Sequence, residues 1–78
     1  MNKTILFSEY GTEFSKNERE EHFLHVLVGG VAQYEITILL TPEELSFYRE
    51  YRDHYIQKLV LDICREPSKF RDRDVTVA

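Results

Sequence analysis

The five residues Thr41-Pro42-Glu43-Glu44-Leu45 state where a helix must begin, and they divide the chain in two. Thr41 offers an N-cap hydroxyl, and Pro42 suits the first helical position, where its missing N–H needs no partner. Glu44 stands where a carboxylate reaches back to the cap amide. Leu40 and Leu45 flank the cap and can pack across it. Upstream, apolar residues recur with a period of two; downstream, they recur with a helical period. Pro67 denies the preceding residue an easy helical conformation, so the pattern predicts one helix over residues 42–65. Leu45, Tyr48, Arg52, Tyr55, Ile56, Leu59 and Ile63 form the stripe expected to lie on a sheet.

That sheet comes from the first half of the chain. Residues 3–10, rich in β-branched and aromatic side chains and closed by Gly11, read as a strand. Residues 11–21 read as a polar loop, with Phe14 their only apolar anchor and Glu18-Arg19-Glu20-Glu21 a solvated charge run. Residues 22–28 and 33–40 read as the next two strands, joined at Gly29-Gly30. Tyr34, Ile36, Ile38 and Leu40 share one face of the latter. A two-residue turn would set them beside Phe23, His25 and Leu27. A loop of odd length sets them beside Leu24, Val26 and Val28, which gives one wholly apolar face and leaves His25 with Glu35 and Thr37. Register follows the buried face, which favours the odd loop, although a Gly-Gly turn keeps the other pairing open.

Beyond the helix, residues 67–70 suggest a tight turn with Phe70 tucked back as a plug, and Val75-Thr76-Val77 suggest a terminal strand. The expected fold is α+β. It has a small antiparallel sheet of three strands, or four with the terminal one, and one long helix packed across one face. A length of 78 residues leaves room for one core, so residues 1–78 are read as a single domain.

Charge narrows the function. Residues 1–44 carry three basic side chains against eight glutamates, whereas residues 45–78 carry seven basic and six acidic ones. An acidic chain repels phosphate backbones, and the cluster Arg65, Lys69, Arg71, Arg73 is interleaved with acids, so nucleic acid is not an expected partner. The acidic half would suit a basic protein. The longest apolar run, residues 26–32, is too short to span a membrane, and no secretory signal is visible at the amino terminus. A lone cysteine cannot form an internal disulfide, which fits the cytoplasm.

Candidate chemistry is sparse. His22 and His25 point to opposite faces of one strand and cannot chelate together, so no metal is expected. Cys64 lies near a helix C-terminus, where the dipole disfavours a thiolate, and reads as a buried or half-buried inert thiol. Glu43 and Glu44 belong to the first helical turn, and Gly29-Gly30 is too short to cradle a phosphate. These observations imply no cofactor and no enzyme.

The unusual feature is aromatic. Phe47, Tyr48, Tyr51 and Tyr55 fall within nine residues, with Tyr48 and Tyr55 on the core stripe. Phe47 and Tyr51 form a flank that His54, Lys58 and Leu61 continue. Two covers are open to this flank. It packs under Phe14 or the C-terminal turn, or it is a protein interface formed by Phe47, Tyr51, His54, Lys58 and Leu61. The helix is apolar over more than half its circumference from Ile56 to Cys64, which points to a homodimer as one arrangement.

The strand that runs through Leu-Thr-Pro-Glu-Glu into a helix and ends in Cys-Arg-Glu-Pro-Ser-Lys-Phe-Arg-Asp-Arg carries a resemblance over residues 38–73. It resembles the C-terminal half of small bacterial immunity proteins of polymorphic or contact-dependent toxin systems. The resemblance implies a protein that binds and blocks an enzyme without being one. A homo-oligomeric structural or regulatory subunit is the alternative.

Overall fold

A computed structural model describes residues 3–9, 11–29 and 33–75. The chain forms strands β1 (Lys3–Glu9), β2 (Thr12–Asn17), β3 (His22–Val28) and β4 (Tyr34–Leu39). Helices α1 (Pro42–Tyr51) and α2 (Asp53–Arg65) follow, and then the short 3-10 turns Pro67–Lys69 and Arg71–Arg73. The strands make one antiparallel sheet in the order β1-β2-β3-β4, and the helices cover one face. The α+β expectation therefore holds, with two corrections to its parts.

The first correction is β2, which occupies the segment read as a loop. Phe14 sits between Phe7 and Leu24 in the pairing and is wholly buried. Its strand neighbours Thr12 and Ser15 are small, polar and also buried, so an inner strand is built almost without apolar side chains. The charge run is the hairpin turn that follows. Asn17 Oδ1 accepts the N–H groups of Arg19 and Glu21, and Lys16 pairs with Glu20 at 3.3 Å. On the other side Gly11, at φ 75°, turns the chain from β1 into β2. The β1 register shifts between Ile5 and Phe7, so Phe7 meets Phe14 while Ile5 meets Ser15. That bulge puts Phe7 toward the core and leaves Ile5 46% exposed.

The β3–β4 hairpin keeps the odd loop. Val28 pairs with Tyr34, Val26 with Ile36 and Leu24 with Ile38, which leaves residues 29–33 as the connection. Leu24, Val26, Val28, Ile36, Ile38 and Leu40 are buried together under α2. His25 pairs with Thr37 on the outer face, as the buried-face argument requires.

The second correction is the helix, which breaks at Arg52. A straight helix over residues 42–65 would run about 36 Å, longer than the 33 Å greatest extent of the molecule. Continuing the stripe would also bury the Arg52 guanidinium without a partner. Instead Arg52 takes φ 56° and ψ −131° and stays exposed, its guanidinium over the Tyr48 ring. Its N–H still closes α1 on the Tyr48 carbonyl, and its own carbonyl accepts the Tyr55 N–H that opens α2. The turn aims Ile56, Leu59 and Ile63 at the sheet.

The helix start is as expected. Glu44 N–H donates to Thr41 Oγ1 at 3.2 Å, and Thr41 N–H donates to Glu44 Oε1 at 2.9 Å. The Glu44 carboxylate also receives a bidentate pair from Arg73, whose guanidinium donates in addition to the Leu39 carbonyl. Burial alone would raise the Glu44 pKa, but the Arg73 hydrogen bond, the Thr41 amide and the Arg73 charge outweigh it and hold it below the usual glutamate range. This clasp lays the C-terminal segment along β4. Phe70 packs half-buried against the core, as the plug reading expected. Asp74 makes an isolated antiparallel bridge with Ile38, and Val75 N–H donates to the Thr37 carbonyl at 2.7 Å. Asp74, one residue before the expected terminal strand Val75-Thr76-Val77, makes only this isolated bridge, and residues 76–78 lie outside the described ones.

Candidate protein-interaction site

The break at Arg52 makes an elbow, and the aromatic flank lies on its outer side. Phe47 is 49% exposed, Tyr51 54% and Leu61 60%, with His54 and Lys58 also exposed. None of the five is covered by Phe14 or by the C-terminal turn. Phe14 instead takes the edge of Tyr48, with ring centroids 4.8 Å apart. Phe47, Tyr51, His54 and Lys58 converge with Tyr55 on an open cleft of about 530 Å³. Leu61 stands one turn further along, on a smaller cleft of about 320 Å³ shared with Phe7, Glu9, Gln57 and Val60. The structure thus brings four of the five expected residues together and places the fifth beside them.

Tyr55, a residue of the helical stripe, packs half-buried against the core and also walls the cleft. Its ring stacks on Phe47 at 5.6 Å, with 27° between the planes. Burial, and then the nearby Glu44 charge, raise its pKa against the opposing charge of Arg73. The phenol stays neutral, so the cleft offers three aromatic rings, one imidazole and one ammonium. Lys58 is braced by Asp62 at 3.1 Å on its own helix. The wall is chiefly apolar, with its polar groups at the rim, which is the anatomy of a contact surface.

His25 holds Thr37 Oγ1 through Nδ1 at 2.7 Å and Glu35 through Nε2 at 3.3 Å, a hydroxyl, imidazole and carboxylate in a row. The Thr37 backbone N–H donates to Asp74 Oδ1, and its carbonyl accepts from Val75. The row ties β3, β4 and the C-terminal segment together. Cys64 is exposed, which corrects its reading as a buried or half-buried thiol. Among the described residues no group of three His, Cys, Asp or Glu side chains could hold a metal ion. No described helix is long and apolar enough to cross a membrane.

Three of the four basic residues of the C-terminal cluster are engaged within the molecule, and Arg65 is exposed. Arg73 holds Glu44, Lys69 holds Glu66, and Arg71 lies over the Tyr34 ring at 5.4 Å. Sequence spacing located four members of the flank, Phe47, Tyr51, His54 and Lys58, which still share one cleft although the helix breaks at Arg52. Compared with protein-family models, curated proteins and solved structures, the chain matches none.

Proposed function

We propose that the protein is a non-enzymatic protein-binding module of the immunity type, which binds and blocks a partner enzyme in the cytoplasm. The helix elbow is its first contact surface. The observation that carries the reading is the exposure of Phe47 and Tyr51 around one aromatic cleft. Large aromatic side chains left half in water on a rigid helical layer are the residues that most often anchor protein partners. The acidic strand half, residues 1–44, supplies charge complementarity for a basic target. With Arg71 and Arg73 engaged within the fold, the basic cluster is poorly placed to track a phosphate backbone, which supports a protein over a nucleic acid.

The test is comparative capture from a bacterial lysate, using the wild-type chain and a Phe47→Ala, Tyr51→Ala double variant. Both side chains are largely exposed, so the melting midpoint should change little. A partner retained by the wild type and lost by the double variant supports the reading. Identical capture by both chains removes the elbow as the contact surface. The alternative, a homo-oligomeric structural or regulatory subunit, is favoured by one observation. Apolar exposure continues along the helix to Leu61, beyond the cleft itself.

A further inference from the structure

The two edges of the sheet are finished differently. On β4, Asp74 bridges Ile38, Val75 N–H donates to the Thr37 carbonyl, and Arg73 donates to the Leu39 carbonyl. No described segment pairs with the outer side of β1. Its bulge between Ile5 and Phe7 sets the regular part of that open edge at Phe7–Glu9. Phe7 and Glu9 stand opposite Phe14 and Thr12, both buried, so they face the helical side of the sheet. There they form one wall of the cleft of about 320 Å³ whose other wall is Gln57, Val60 and Leu61 of α2. Leu61 is 60% exposed. Glu9 is exposed too, and among the described residues it forms no ion pair.

We propose that β1 accepts a further strand from the partner: an extended basic segment that pairs with the open edge and seats one lysine or arginine side chain in this cleft. The proposal rests on the protein-binding reading. It adds to the elbow a second contact surface, which shares no lining residue with the first, and names the chemistry it holds. The free N–H and C=O groups of a strand edge are matched by another extended backbone, and pockets beside the edge then select its alternate side chains. On the helical side, a side chain of an added strand would stand next to Phe7 and Glu9. Phe7, Val60 and Leu61 suit the aliphatic stem of a long cationic side chain, and the Glu9 carboxylate suits its charged head. A second copy of β1 is a poor occupant. Its only cation, Lys3, is already held by Glu13 at 2.6 Å and brings Glu9 no free partner. The acidic balance of residues 1–44 favours the approach of a basic segment from a different chain.

Peptide titration of the full, isotope-labelled chain, followed by NMR, tests backbone and side chain separately. The probes are a short capped peptide alternating threonine and valine around one central lysine, its norleucine and glutamate counterparts, and the lysine peptide N-methylated throughout. The lysine peptide should shift the amides of Phe7–Glu9 and the Leu61 methyl groups, and should slow exchange of the outward-facing amides in that stretch. It should bind more tightly than the norleucine peptide, and the glutamate peptide should bind least. The N-methylated peptide, which has no backbone donor to offer, should not bind. Glu9→Gln should weaken the lysine peptide about two- to fivefold and leave the norleucine peptide unchanged. Leu61→Ala should weaken both. A lysine peptide that leaves β1 unshifted, or an N-methylated one that binds equally well, overturns strand addition. Equal binding of the lysine and norleucine peptides overturns the basic side chain, and β1 shifts that grow with protein concentration alone assign the edge to a second copy and overturn the foreign segment. None of these failures touches the capture test with Phe47 and Tyr51, which do not line this cleft, and loss of that test leaves the titration intact.

Discussion

The two helices are held to the same sheet by different means. α1 contains no fully buried residue, whereas α2 buries Ile56, Leu59 and Ile63. What holds α1 is directional: the reciprocal Thr41–Glu44 cap, the Arg73 guanidinium on Glu44, and the Tyr48 edge against Phe14. What holds α2 is the removal of apolar surface from water, which needs no particular bond. The difference has a consequence for the candidate site. A helix secured at its first turn can leave its outer side in water, and α1 carries Phe47 and Tyr51 there.

The largest test of this contrast is Ile63→Ala, which should cost about 2–5 kcal/mol in a denaturant melt because the side chain is wholly buried and leaves a cavity. A loss under 1 kcal/mol would place α2 among the elements held by polar contacts. Arg73→Ala removes the clasp and should cost less, about 1–2 kcal/mol. The pair is partly solvated, with Arg73 32% and Glu44 15% exposed at the side chain.

The clasp also has a pH signature. The folded Glu44 pKa lies below its ordinary value near 4.5. Its contribution to stability is therefore present above that value and is lost as pH falls through the lower folded one. Glu44→Gln should flatten this part of the acid limb, and Ile63→Ala should leave its shape unchanged. A Glu44→Gln chain with the same acid limb as the wild type would remove the clasp from the account of α1.

Thr41→Ala is the next step down, at about 1 kcal/mol, since it deletes one partner of the cap and leaves the Arg73 pair in place. An unaltered melting midpoint would show that the Arg73 pair alone secures the first turn. The smallest effect has the opposite sign. Arg52→Gly should stabilise by roughly 0.5–1 kcal/mol, because φ 56° with ψ −131° is a conformation that glycine adopts without strain. A destabilised Arg52→Gly chain would show that the guanidinium over Tyr48 contributes more than the backbone strain costs.

The same contrast separates what could be read in the residues from what could not. β3 and β4 were legible because both carry a dense apolar face, and burying that face favours one register. β2 was not, because its single large apolar residue, Phe14, does not make a period. Its neighbours Thr12 and Ser15 are buried only because β1 and β3 flank them. The helical stripe correctly marked Ile56, Leu59 and Ile63. It wrongly included Arg52, since a periodicity count does not register what burying a guanidinium costs.

By itself, then, the sequence determined the helix start at Thr41, favoured the pairing of Leu24, Val26 and Val28 with the Ile36–Ile38 face, and marked Phe47, Tyr51, His54 and Lys58, which share one cleft. Each is a local or periodic pattern whose physics is complete within a few residues. Tertiary structure alone decided that residues 12–17 form an inner strand and that the helix bends at Arg52. It also decided that Tyr55 stacks on Phe47 across the break, and that Arg73 reaches back to Glu44. These depend on groups that meet only after the chain has folded. A strand needs neighbours for its backbone, a helix has to fit the sheet beneath it, and an ion pair across 29 positions of sequence has no local signal.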